Sequence, residues 1–416
     1  MSCILLSAYA CEPDKGSEPA VGWMWATGLA ALRHEVWVIT RAANRSTIER
    51  ELRRREAASR LHFVYCDLPA WARPWKRLPG AIYLYYFVWQ WMAFLAARRL
   101  NRAQHFDCVH HVTFVSLRGP SFMGWLGIPF YLGPVSGGES VPWPLRPSMT
   151  LRAQAFELAR DCANVIARYD PLLRGACRRA RRIYLASNDS LALVPRRYRH
   201  KCEVRLAVGV TREQLGLSHR HVPNGDSMLR CLYVGRLLEW KGLKIALLAM
   251  QGLKEQGVRA HLTLIGDGPA RSAMQTLASQ LGIAEVVTWL PWLAHQEVQQ
   301  RFDQHDIFLF PSLRDSGGMA VLEALAHGLP VVCIDLGGPA HIVTDRCGRV
   351  VPTTGRTSQS IADDIARHLR EFAQNRGLRQ SLSIQARRRA WDFEFARMVE
   401  AVHGASSAEH KEGVPA

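Results

Sequence analysis

The sequence predicts an α/β protein built from two doubly wound, parallel-sheet domains. Three observations carry that prediction. The chain is 416 residues long, more than one core ordinarily serves and enough for two domains of about 200 residues each. Strand-like and helix-like segments alternate along nearly all of it, the pattern of parallel strands covered by helices. The alternation breaks once, in an irregular, basic stretch at 195–228 that contains "VPNGDS", and then restarts. That stretch is the expected inter-domain linker.

In the first half, "CILLSAY" (3–9) reads as a strand and "AVGWMWATGLAAL" (20–32) as a helix. "EVWVIT" (35–40) is a strand, 44–58 a charged helix, and "LHFVYC" (61–66) a strand. The aromatic run "AIYLYYFVWQWMAFLAA" (81–97) follows as a helix, then the strands "FDCVHH" (106–111) and "IPFYLG" (128–133). Residues 148–179 read as mostly helical, and "RIYLAS" (182–187) as a strand. In the second half, strands are expected at 229–235, 260–266, 285–290, 306–312, 329–334 and 348–351, with helices between them. Two such units are expected to be Rossmann-like domains facing one cleft, with ligands at the carboxyl ends of the strands. The tail 404–416 reads as disordered.

Composition narrows the partners. A net charge of +17, from 53 Lys and Arg against 36 Asp and Glu, favours anionic ones. The basic residues are scattered, and no zinc finger or RNP box accompanies them, so no nucleic-acid partner is expected. The ten cysteines form no C-x-x-C pair and sit mostly in apolar runs, as free thiols do in a reducing cytosol. The N-terminus lacks a basic n-region and reads as a first strand. Residues 81–97 are at the short limit for a membrane span. A span there would divide the alternating pattern, so a buried or membrane-lying helix is expected instead.

Chemistry concentrates in "RDSGGMAVLEALAHGLPVV" (314–332). A strand ends at Ser312, Asp315 follows in a loop, and a helix begins near Gly317-Gly318. A glycine helix start exposes backbone N–H groups that favour an anion such as phosphate. Glu323, about five residues up, lies roughly 7–8 Å along the axis, a suitable offset for a ribose attached to a diphosphate. A carboxylate accepts from two vicinal hydroxyls. In "VGRLLEWKG" (234–242), Arg236 follows a strand and Lys241 opens the next helix, a pair able to clamp a diphosphate. "IGDGPAR" (265–271) with Gly268 is another strand-end glycine loop. "LPWL" (290–293), with Pro291 and Trp292, is expected to edge a nucleobase with its backbone.

On the first half, "CEPDKGSEPAVGW" (11–23) places Gly16, Glu12, Lys15 and Glu18 after the first strand. His110 and His111 end another. Adjacent strand residues point to opposite faces, so one of the two faces the cleft, and His111 is preferred. "GPVSGGES" (133–140) is a further glycine loop.

Taken in order, V-G-R, K-G, G-D-G-P, a carboxylate-x7-Glu element and G-L-P-V-V resemble the nucleotide-sugar half of a retaining GT-B glycosyltransferase of family 4 (glycosyl transferases group 1). The resemblance extends over nearly the whole chain. It implies a GT-B fold with residues 1–210 on the acceptor side, 211–390 binding the nucleotide sugar, and a last helix at 391–403 packing back on the first domain. It implies a diphosphate pair at Arg236 and Lys241, and a helix start at Gly317, Gly318 and Met319 holding phosphate and sugar. Glu323 looks like the ribose-binding residue. Asp315 stands where the family has a Glu that contacts the donor sugar, and this departure leaves the sugar's identity open. A histidine at 110 or 111 would contact that sugar, and Gly16 would lie beside the donor phosphate.

The expected activity is retaining hexosyl transfer from a UDP- or GDP-sugar to a glycan acceptor carried on lipid, in bacterial exopolysaccharide or lipopolysaccharide synthesis. The expected place is the cytoplasmic face of the plasma membrane, held there by the basic surface and the aromatic helix. No D-x-D motif occurs in the sequence, so no metal and no cofactor is expected. Two other readings share the same residues: a GT-B-like nucleotide-sugar epimerase, and a non-catalytic membrane- or glycan-binding protein.

Overall fold

A computed structural model describes residues 1–13, 17–54, 59–69, 72, 81–119, 121–216 and 228–404. Its strands are β1 (Cys3–Ala8), β2 (Glu35–Arg41), β3 (Leu61–Cys66), β4 (Cys108–Thr113), β5 (Phe130–Val135), β6 (Ala180–Leu185), β7 (Cys202–Val204), β8 (Leu229–Val234), β9 (Ala260–Ile265), β10 (Val287–Leu290), β11 (Ile307–Phe310), β12 (Val331–Ile334) and β13 (Gly348–Val351). They form two sheets, ordered β3-β2-β1-β4-β5-β6-β7 and β10-β9-β8-β11-β12-β13. Every strand pairing within both is parallel. Both orders reverse direction once, between β1 and β4 and between β8 and β11. Those are the points where a doubly wound sheet opens a crevice at its carboxyl edge.

The chain divides into two compact units. The first comprises 1–138, 161–208 and 395–416, and the second 139–160 and 209–394. This differs from the expected division at 210/211, because 139–160 belongs to the second unit. That segment carries its own polar attachments there: the Thr150 N–H and hydroxyl both donate to the Glu239 carboxylate at 2.7 Å, and Ser148 Oγ lies 3.2 Å from Ser358 Oγ. The expected linker also contains structure. Residues 202–204 pair with β6 as an edge strand, too short to give a periodic signal. Of that stretch, 217–227 lie outside the described residues, as do 405–416 of the expected tail.

In the first unit, the helix Phe395–His403 packs against the helix Ser17–Ala31, with Phe395 edge-on to Trp25 at 5.7 Å and Val399 against Gly28. The helix Ala81–Gln104 runs longer than the sequence indicated. Tyr85, Tyr86, Trp89, Ala93 and Ala97 face the core. The Trp89 indole N–H donates to the Cys66 carbonyl at 2.8 Å. Tyr83, Leu84, Phe87, Trp91 and Leu95 form an exposed stripe on the other side, Tyr83 at 51% and Trp91 at 49%. Residues 71 and 73–80 before this helix, including Trp71 and Trp75, lie outside the described residues.

This two-faced helix makes a direct prediction. Trp89→Ser should destabilise the fold by about 3–5 kcal/mol, as for truncation of a large buried aromatic. Trp91→Ser should stay within about 0.5 kcal/mol of the parent. Urea unfolding of the two variants checks both; equal midpoints would contradict the packing described.

Candidate functional site

The second unit's switch point is built from the loops that leave β8 and β11. After β8 the chain passes Arg236, whose side chain is exposed, and buries Leu237. Leu237 donates to the Asp267 carbonyl and accepts from the Ala270 N–H, both at 3.0 Å. The Gly-Asp-Gly loop after β9 is thereby fastened to the Arg236 loop. Gly268 is close-packed there: a Cβ on it would lie 2.3 Å from the Leu237 carbonyl oxygen. Its role is to hold that loop. Trp292, 65% exposed, has its ring against Gly266.

Lys241 ends the same β8 loop, just before the helix Leu243–Glu255. Gly242 between them has φ +72°, and a Cβ there would fall 1.7 Å from the Pro311 carbonyl oxygen. Only glycine lets the β8 loop approach the β11 exit so closely. The approach brings Lys241 Nζ to 2.5 Å from Asp315 Oδ2 and 5.4 Å from the centre of the Phe310 ring. The other oxygen, Asp315 Oδ1, accepts from the N–H groups of Gly317 at 3.0 Å and Gly318 at 2.8 Å. Three donors hold the Asp315 pKa below its ordinary value despite the opposing effect of burial, which is the largest single influence.

This corrects one expectation. The Gly317 and Gly318 N–H groups are not bare; Asp315 caps them. The next donors along the helix Met319–Ala326 are the N–H groups of Met319 and Ala320. Gly318 itself has φ +67°, the left-handed conformation that turns the chain into the helix. Met319 and Glu323 are both partly exposed on that helix. Burial alone raises the Glu323 pKa to about 7.

The structure adds residues that the motifs did not mark. The start of the helix Gly337–Ile342, after β12, supports the Asp315 backbone: Gly338 N–H donates to the Asp315 carbonyl at 2.8 Å, and a Cβ on Gly337 would lie 2.0 Å from that oxygen. The sequence signal was the Gly-Gly pair in "LGGP". Tyr233 on β8 stacks on Phe310 at 5.7 Å under the ion pair. Its phenol is pushed far above its ordinary pKa by burial first and by the Asp315 charge second.

In the first unit the two histidines separate as adjacent strand residues must. His110 Nε2 lies 2.6 Å from the Gly133 carbonyl, and His110 Nδ1 lies 3.0 Å from His403 Nε2. A carbonyl only accepts, so Nε2 of His110 carries the proton and Nδ1 accepts from His403. His110 therefore belongs to the packing of the C-terminal helix, which corrects its place among the catalytic candidates. His111 points the other way, with Tyr86 Oη and Ser7 Oγ each at 3.4 Å. It is buried, and burial lowers its pKa to about 4, so it is neutral near pH 7. The Glu18 carboxylate accepts from the Val115 N–H at 2.5 Å, joining the loop after β4 to the first helix. Lys15 and Gly16 lie outside the described residues.

Residues 222–389 match the family model described as glycosyl transferases group 1. The match lies wholly within the second unit. A relative from Escherichia coli K12, the putative colanic acid biosynthesis glycosyltransferase WcaL, is 33% identical over 177 residues; the match spans 41% of this chain and 41% of WcaL. The fold of the whole chain is GT-B. WaaG, a glycosyltransferase involved in lipopolysaccharide biosynthesis, superposes with a TM-score of 0.56 at 16% identity, covering 96% of this chain and 98% of that one. Anabaena HepE, solved in complex with UDP, gives 0.60 at 15% identity, covering 98% and 100%.

Glu323 makes the stability of the second unit depend on pH. Its folded pKa lies above the ordinary 4.5, so the native state holds the extra proton between about pH 4.5 and 7. Stability should fall as pH rises through that window and level off above it. At 1.36 kcal/mol per unit, less an allowance for partial exposure, the loss is about 2 kcal/mol. Glu323→Gln should accordingly melt higher than the parent at pH 8 and equal it near pH 5. A constant difference across that range would contradict the shift.

Proposed function

We propose that the chain is a retaining glycosyltransferase that moves a hexose from a nucleoside-diphosphate sugar to a glycan acceptor carried on lipid, in exopolysaccharide or lipopolysaccharide synthesis. One observation supports this reading above the rest: Lys241 and Asp315 meet over the β8/β11 switch point, at the start of a helix that carries Glu323. The cation, the next helix N–H groups and Arg236 suit a diphosphate. Glu323 suits the ribose, whose hydroxyls would favour its ionised form and draw its pKa back down. In this reading the leaving diphosphate is stabilised by Arg236, Lys241 and backbone donors without a metal. Transfer is front-face displacement, the departing phosphate oxygen taking the acceptor hydroxyl's proton. His111 is the histidine assigned to the sugar side, acting as a neutral imidazole. The association of WcaL with colanic acid and of WaaG with lipopolysaccharide supports the polymer setting.

Thermal shift against UDP-, GDP- and ADP-sugars, followed by transfer assays on whichever stabilises, tests the reading. Activity should persist in excess EDTA. Arg236→Ala and Lys241→Ala should each cost about 2–4 kcal/mol in kcat/KM. Metal-dependent recovery after chelation would refute the metal-independent step. No stabilisation by any nucleotide sugar would refute the donor assignment.

The same reading places the enzyme at the cytoplasmic membrane surface. Among the described residues no helix is long and apolar enough to cross a membrane. The stripe Tyr83, Leu84, Phe87, Trp91 and Leu95 ends at the exposed Arg98, Arg99 and Arg102, apolar and aromatic groups followed by cations as an interfacial helix arranges them. Co-sedimentation with vesicles should rise with anionic lipid, fall with salt and weaken in Phe87→Ser/Trp91→Ser. Salt-independent binding to neutral vesicles would count against it.

A further inference from the structure

The segment 139–160 lies between two parts of the first unit in sequence, yet belongs to the second. Two of its polar attachments to the rest of the second unit fall within two residues of a member of the Lys241–Asp315 pair. At the first, the Thr150 N–H and hydroxyl occupy both oxygens of Glu239 at 2.7 Å, two residues before Lys241. At the second, the buried Glu157 carboxylate pairs with Arg314, the residue before Asp315. Its other oxygen accepts from the Val141 N–H at 3.3 Å. The two places are joined by stacking. Phe156 lies on Trp240 with ring centres 5.9 Å apart and planes 12° from parallel, and the Arg314 guanidinium sits 4.5 Å over Trp240. Trp240 in turn accepts from the Leu313 N–H at 2.9 Å. The ends of the segment are tied by Arg160, which donates to the Glu139 carbonyl at 2.8 Å.

We infer that Thr150, Phe156 and Glu157 are positioning residues for the donor site: the 139–160 segment is a strap that fixes the loops carrying Lys241 and Asp315. The inference rests on the reading of Lys241 as the diphosphate cation. Lys241 ends a short loop turn and Asp315 lies in the loop after β11; each side chain aims by the setting of its own backbone. A buried carboxylate–guanidinium pair is geometrically demanding and is costly to leave half-made. Placed one residue from Asp315, it holds the peptide plane from which that carboxylate projects. The Glu239 contacts do the same for the turn before Lys241. Small misplacement of charge at a phosphate-transfer site is expensive in rate, so a strap that limits loop motion acts on the donor site without touching the donor.

Two measurements on Thr150→Val, Glu157→Gln and the control Ser358→Ala test this. Ser358→Ala removes the strap contact farthest along the chain from either loop, with Ser148. The first is acetic-anhydride labelling of the folded protein, reading Lys241 against Lys254 by mass spectrometry; it needs no donor. Lys241 should label roughly threefold faster in Thr150→Val and Glu157→Gln once its pairing loosens, and at the parent rate in Ser358→Ala. The second is affinity for UDP, or for whichever diphosphate stabilises the parent, which should weaken by about tenfold in the same two variants only. If Glu157→Gln does not fold, Thr150→Val, at an exposed contact, carries the test. Parent-like labelling of Lys241 in a folded Thr150→Val overturns the strap, as does equal loosening by Ser358→Ala. If no diphosphate binds the parent, the donor reading fails while the labelling still decides the strap.

Discussion

Asp315 makes three bonds at once, and the second unit is arranged around that fact. One oxygen takes Lys241 and the other takes the N–H groups of Gly317 and Gly318, which lead into the following helix. The three bonds join the exit of β8, the exit of β11 and the start of the helix Met319–Ala326. These are the three pieces that a doubly wound sheet presents at its switch point. The carboxylate is mostly withdrawn from water, which alone would favour its neutral form. The cation and the aligned N–H groups reverse that preference. A permanent charge pair is thus set at the switch point, at the start of a helix.

The pair is possible only because several backbones come unusually close. Gly242 admits the Pro311 carbonyl, Gly337 that of Asp315 and Gly338 that of Ser316. Each is a position where a methyl group would collide with main chain, which has nowhere to move. The rigidity of the site therefore comes largely from packed main chain, with the 139–160 segment adding grip from the side chains of Thr150, Phe156 and Glu157. The same economy of chemistry appears in the first unit. There the polar chain of Gln90, Tyr86, His111 and Ser7 is enclosed by Tyr9, Trp89 and Phe114. A neutral imidazole in such surroundings is a fixed dipole near pH 7, not a titrating group.

Asp in place of the longer Glu bears on the same point. A side chain one methylene shorter stays within reach of the Gly317 and Gly318 N–H groups two and three residues on, as in an Asx turn.

Much of this was readable from the sequence alone. Alternation of strand and helix determined two parallel sheets, because a parallel strand needs a covering crossover. Strand ends followed from where apolar runs stop. The site motifs fell after them because irregular backbone is where charged groups reach a ligand. The eight-residue spacing from Asp315 to Glu323 placed one in a loop and the other on a helix by helical rise alone. Other matters only the tertiary structure decided. A period of two said that His110 and His111 face opposite ways, but not which way; the Phe395–His403 helix, nearly 300 residues on, claimed His110. The 81–97 run is aromatic on every side, so it had no periodic signal, and only packing turned Trp89 inward and Trp91 outward. Residues 139–160 carry nothing in composition to mark them as part of the second unit. Their allegiance rests on Glu157 meeting Arg314 and Thr150 meeting Glu239, contacts between residues more than 85 apart, and long-range pairing of this kind leaves no trace in local pattern.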